Sequence, residues 1–138
     1  LGFYYGSDTR GTGPFMPVCN AELVACPQVP TTLPTFPECL AVEGYNIEDA
    51  LARLLSHSVV PAAVGHVYSG NARLEGVKWA GTFERLLAGV RDQGHEPVAL
   101  GAYADGIDAA HLPRHVVVAG AIDGRRAPLA LQGKEFLS

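Results

Sequence analysis

The spacing of apolar and polar positions changes several times along the chain. Residues 1–8 (LGFYYGSD) run apolar and then polar, the pattern of a short buried strand ending in a charge. Six of the ten prolines then fall between Pro14 and Pro37. Proline lacks an N–H and breaks helices, so residues 12–40 are expected to form an extended, Pro-rich loop, either a surface covering or one wall of a site. From Asn46 the period becomes helical. Asn46 suits an N-cap, Asp49 follows three residues on, and Ile47, Ala50, Leu51, Leu54 and Leu55 form an apolar stripe with His57 in the last turn. Pro61 breaks that pattern, 62–69 reads as a strand, and Gly70 and Gly76 bracket a loop. A second helix is predicted over 78–93, with Trp79, Phe83, Leu86, Leu87 and Val90 on one face and Gly94 at C′. Residues 97–101 read as a strand, which completes a βαβ unit. Strands are predicted at 115–122 and 129–132 around Asp123-Gly124, a hairpin signal, within a C-terminal strand extension at 112–138. The fold class is α/β.

Length and composition narrow this picture modestly. At 138 residues and 14.5 kDa the chain is one small domain or part of a larger one. A net charge of −4 and a pI near 5.7 argue against a nucleic-acid partner. No apolar run approaches the roughly 20 residues a membrane span needs. Three cysteines make a closed disulfide framework improbable. The chain opens at Leu1 inside a strand-like run, so a missing upstream half is expected.

Candidate chemistry is sparse. Cys19, Cys26 and Cys39 are too scattered for a zinc motif and are expected to be small buried residues. His111 and His115 lie four apart, but Pro113 removes the helical meaning of that spacing; they read as exposed loop histidines, and His95 as structural. Two places remain. In Tyr5-Gly-Ser-Asp-Thr-Arg10, an acid and an arginine follow a strand, where α/β sites collect; the alternatives are an Asp8–Arg10 ion pair or an Asx-turn. In the 66–75 stretch, His66 sits in an apolar run and Asn71, Arg73 and Glu75 follow on a loop.

Taken together, Tyr5-Gly-Ser-Asp-Thr-Arg-Gly11, Pro14-Phe-Met-Pro17, Gln28-Val-Pro-Thr-Thr-Leu-Pro-Thr35, Val67-Tyr-Ser-Gly-Asn-Ala-Arg-Leu-Glu-Gly76 and the tail with Gly120, Ile122, Gly124, Arg125, Leu129 and Gln132 resemble the metal-dependent polysaccharide deacetylase family, nearest its deformylases of lipid-linked formamido-arabinose. The resemblance implies the C-terminal portion of a distorted (β/α) barrel. It implies an amide hydrolase acting on an N-acylated sugar at the cytoplasmic face of the inner membrane, with peripheral membrane contact. The family's divalent metal, zinc foremost, and its base Asp would lie in the N-terminal half, leaving no metal ligand and no bound metal in this chain. Asp8 would orient the catalytic histidine, and Tyr5, Arg10 and Glu75 would bind substrate, Arg10 through its phosphate.

The family pattern is broken where it matters most. The ungapped match puts Asn71 at the family's catalytic histidine, Arg73 at a glutamate, Ala119 at an arginine and Pro128 at a tryptophan. Asparagine cannot donate a proton near neutral pH, and losing general acid help costs roughly 10²–10⁴ in rate. His66 is the alternative, but five residues along a strand is about 16 Å and the opposite face. The matching frame around position 71 favours Asn71. Two functions are therefore expected: a hydrolase whose isolated C-terminal half is inactive, or a degenerate relative that binds a glycolipid or glycan without turnover. An unrelated small α/β module is a third.

Overall fold

The computed structural model describes residues 2–137. The fold is α/β. A mixed four-stranded sheet has the order β2-β1-β3-β4, with β1 at Met16–Cys19, β2 at Glu22–Leu23, β3 at Arg114–Gly120 and β4 at Leu129–Glu135. β1 and β3 run parallel (Met16 opposite Arg114), and the other two pairings are antiparallel. The β1–β2 turn puts Asn20 and Ala21 at φ +52° and +64°, the two left-handed positions of a tight hairpin. Pro17 sits within β1 without its N–H, and its carbonyl accepts from Val24 at 2.9 Å. Phe15, Val18 and Val29 are buried beside the sheet, and the Phe15 ring meets His115 edge-on at 5.6 Å.

The helices carry the larger core. They are α1 at Phe36–Leu40, α2 at Ile47–Ser58, α3 at Ala80–Asp92 and α4 at Leu100–Asp105. Leu33, Phe36, Cys39, Ala50, Leu51, Leu54 and Leu86 form one buried cluster, with Trp79 and Phe83 packed against it. The α2 stripe and cap behave as the sequence pattern requires: Asn46 Oδ1 accepts from Asp49 N–H, and Asp49 returns the bond to the Asn46 N–H. Gly94 follows α3 at φ +90°.

Several expected elements are replaced. Residues 2–8 hold no regular strand; Phe3 and Tyr4 are exposed, and the extended pairing begins only at Gly6, which is stitched to Pro27 and Val29. Within the Pro-rich 12–40 segment lie β1, β2 and helix α1. α1 exists because Thr35 and Glu38 make a capping box and Pro37 occupies the first turn, where its missing N–H costs nothing. No strand forms at 62–69 or 97–101, so the βαβ unit expected there is absent: Val64 is exposed, Gly65 turns at φ +88°, and Leu100 starts α4. Residues 72–78 are helical, with a π-helical turn at Leu74–Lys78, rather than a loop. β3 and β4 pair as expected, but through residues 121–128 rather than a tight Asp-Gly turn. Of the cysteines only Cys39 is buried; Cys26 is half-buried and Cys19 exposed. His115 is in β3 and half-buried, its Nδ1 2.9 Å from the Gly133 carbonyl, so it is not a loop histidine.

Candidate functional site

A cleft of about 450 Å³ opens where α1, the start of the 72–78 helical segment and the β3–β4 connection meet. Its lining includes Thr35, Glu38, Ser69, Asn71, Glu75, Arg125 and Arg126.

Glu38 is the floor of this cleft and is 4% exposed. Its two carboxylate oxygens accept from Arg10 Nη2 at 3.0 and 3.1 Å, and Oε2 also accepts the Thr35 N–H at 2.6 Å. Arg10 is held in turn by Thr31, whose hydroxyl accepts from Nε at 2.9 Å. Its backbone is clamped between Thr31 and β4: Arg10 N–H donates to Ala130 and Gln132 N–H donates to Arg10. Burial alone would push the Glu38 carboxyl up. The Thr35 N–H and the Arg10 guanidinium outweigh burial and hold it below the usual carboxylate range. Arg125 Nη1 stands 3.9 Å from the same carboxylate.

The opposite wall is built by Asn71 and Glu75. Asn71 Oδ1 accepts the N–H groups of Arg73 and Leu74, both at 3.1 Å, so Asn71 caps the helical segment that follows. The segment is underwound into a π turn, with Trp79 N–H reaching the Leu74 carbonyl at 2.7 Å. That turn carries Glu75 inward to 5% exposure, where its carboxylate accepts from the Tyr68 hydroxyl and the Asn71 N–H. π turns of this kind recur at functional sites. Burial, and then the bond to Glu75, push the Tyr68 phenol far above its ordinary value. Tyr68 is therefore a neutral donor across the working pH range.

The sequence-derived candidates are thus divided. Asn71 and Glu75 meet in the cleft, and Arg10 reaches it from below through Glu38. Asp8 is exposed, its N–H 3.4 Å from Gln28 Oε1, and neither Asp8 nor Tyr5 lines the cleft. Arg10 pairs with Glu38 and not with Asp8, and its side chain is only 15% exposed. His66 lies elsewhere: Nε2 is 2.6 Å from the Val60 carbonyl, Nδ1 is 3.0 Å from the Thr32 hydroxyl, and its ring meets that of His95 edge-on. Both ring nitrogens are used in holding loops together. Glu38 and Arg126 are not among the residues the sequence singles out. The Thr35-x-x-Glu38 capping box was the available signal for Glu38, and Arg126 had none. Among the described residues no group of three or more His, Cys, Asp or Glu side chains converges as a metal site needs. The donor set of the described residues therefore does not fit a catalytic metal.

These walls form a cleft in an α/β protein, lined by buried carboxylates and exposed guanidinium groups. No known family profile matches the chain. It is 31% identical over 132 residues to a Shewanella sediminis protein named "Probable 4-deoxy-4-formamido-L-arabinose-phosphoundecaprenol deformylase ArnD", a match covering 96% of this chain and 41% of that protein. It is 33% identical over 91 residues to the protein of the same name from Wigglesworthia glossinidia brevipalpis, covering 62% of this chain and 29% of that protein. The chain is similar to these two proteins and spans less than half the length of each.

Proposed function

We propose that the chain supplies the substrate-binding wall of an amide hydrolase of the polysaccharide deacetylase type, acting on an N-formylated or N-acetylated sugar carried on a lipid phosphate. The observation that carries this reading is the convergence of the Arg10–Glu38–Arg125 network and the Asn71–Glu75 pair on one cleft, in a chain with deformylase homologues. In this reading the sheet is part of a distorted barrel. A complementary segment, N-terminal to residue 1, brings the divalent metal ligands and the base. Residues of this chain do the binding. Ser69 and Asn71 offer a hydroxyl and an amide to the sugar, and Glu75 fixes Asn71 through its backbone N–H. The enzyme works at the cytoplasmic face of the inner membrane by peripheral contact. No helix among the described residues is long and apolar enough to cross a membrane.

The test is formate release from formamido-arabinose-phosphoundecaprenol in the presence of Zn²⁺. The chain alone should release none, and the chain combined with the N-terminal part of the Shewanella relative should restore release. Turnover by the chain alone would overturn the division of labour.

One observation favours a second reading. Asn71 has no titratable proton, its Oδ1 is committed to capping, and no histidine lines the cleft. A glycolipid- or glycan-binding relative without turnover accounts for that directly. It predicts binding of the lipid-linked sugar with no formate even after complementation.

A further inference from the structure

We infer that Arg125 and Arg126 form a phosphate site at the mouth of the cleft, taking the phosphomonoester or phosphodiester of a glycosyl phosphate. This rests on the cleft being a sugar-binding site and names the group that anchors the sugar there.

Charge matching is the first argument. The Glu38 carboxylate is already satisfied by Arg10 and the Thr35 N–H. Arg125, at 3.9 Å from it, lies outside hydrogen-bond distance, and its side chain is 39% exposed. Arg126 is exposed, lines the same cleft and makes no ion pair among the described residues. The oxygens of Glu75 accept from the Tyr68 hydroxyl and the Asn71 N–H rather than from either arginine, and Arg10, Arg125 and Arg126 set against Glu38 and Glu75 leave the cleft a surplus of positive charge. Two guanidinium groups are therefore left facing a cleft whose carboxylates are engaged. The chain as a whole carries −4, so this positive field is local and not a general attraction for anions.

Rigidity is the second. Gly124 has φ +83°, and a Cβ there would lie 2.5 Å from the Glu38 carbonyl oxygen. The turn rides directly on the α1 backbone, and Arg125 N–H donates to Ile122 at 3.1 Å. A fixed turn removes the backbone part of the ordering cost on binding, and planar guanidinium forks match phosphate oxygens. Ser69 and Asn71 face the same space and can hold the attached sugar.

The experiment titrates the chain with undecaprenyl phosphate in detergent micelles, with the same micelles lacking it, and with glucose 1-phosphate, by calorimetry and by amide NMR shifts. Phosphate-bearing ligands should shift residues 124–127. The double variant Arg125→Gln/Arg126→Gln should lose about ten-fold or more in affinity. Arg91→Gln, an exposed cation at the end of α3, should leave it unchanged. Binding of the lipid alone assigns the phosphate to a membrane-borne substrate, and binding of glucose 1-phosphate as well assigns it to any glycosyl phosphate; both support the site. Retained affinity in the double variant, or equal loss in Arg91→Gln, overturns it. If the double variant misfolds by circular dichroism, Arg126→Gln alone decides, because it breaks no contact in the fold. Arginine-dependent binding without formate release after complementation removes the hydrolase reading and leaves the site standing. Formate release with an unchanged KM in the double variant does the reverse.

Discussion

Gly124→Ala measures how firmly the β3–β4 connection is held against α1. The substitution carries two costs. Gly124 has φ +83°, and an L side chain in that region costs about 1–2 kcal/mol. The new Cβ would also stand 2.5 Å from the Glu38 carbonyl oxygen, 2.9 Å from its Cα and 3.1 Å from its carbonyl carbon. These are backbone atoms of a capped helix and cannot swing aside as a flexible side chain does. Relieving such overpacking costs about 1–3 kcal/mol more, for a total of about 2–5 kcal/mol. Gly44→Ala isolates the first cost, because Gly44 has φ +80° and nothing lies within 4 Å of its added Cβ. The assay is urea unfolding of both variants beside the parent, with m values compared to confirm two-state behaviour. Gly124→Ala should be the less stable by about 1–3 kcal/mol and should weaken phosphate binding, since the displaced turn carries Arg125 and Arg126. Equal destabilisation of the two variants would show that the turn does not rest on α1, and the geometry of the proposed phosphate site would fall with it.

Three further outcomes are expected. Glu38→Gln removes one partner of a buried pair and should cost about 3 kcal/mol near neutral pH. Because folded Glu38 is held below the usual carboxylate range, its contribution is complete above the unfolded pKa near ~4.3 and is lost as pH falls through the lowered folded value; acid unfolding of the variant should be correspondingly shallower, and identical acid limbs would refute this. Ala21→Gly relieves a non-glycine residue at φ +64° in the β1–β2 turn and should raise the stability measured in urea by about 1 kcal/mol; no gain would mean that the turn is not the tight hairpin described. With a thiol reagent, exposed Cys19 should react at once, while Cys39, buried and with its thiol pushed up by that burial, should react only on unfolding; fast labelling of all three would contradict the core around α1.

What the sequence revealed was local. The α2 cap and stripe, the face of α3, Gly94 and the strands of the C-terminal pair each depend on residues a few positions apart. The apolar runs at 1–8 and 62–69 misled because apolarity was read as burial. Phe3, Tyr4 and Val64 are exposed, and the backbone there finds no regular ladder. Helix α1 was legible in Thr35-x-x-Glu38, but the surrounding prolines hid it. The cleft was half legible. Asn71 and Glu75 were named together because they share a motif. The Arg10–Glu38 pair joins residues 28 apart, and Arg125 reaches Glu38 from the far end of the chain, so no local pattern announced either contact. Asp8 lies two residues from Arg10, a spacing that shares a face only in a regular strand, and residues 2–8 form none.

The parallel pairing of β1 with β3 also sets the timing of folding. Met16 and Arg114 are neighbours in the sheet although roughly a hundred residues separate them. Helices α1 to α3 contact their sequence neighbours and can associate as soon as they are made. Residues around β1, including Phe15 and Val18, must wait for the tail. At a synthesis rate of about 5–20 residues per second, that wait is about 5–20 s, during which β1 has only the short β2 to pair with. A chain cut just before β3 would lose two strands from its C-terminal end and, with them, the partner of a third strand near its beginning.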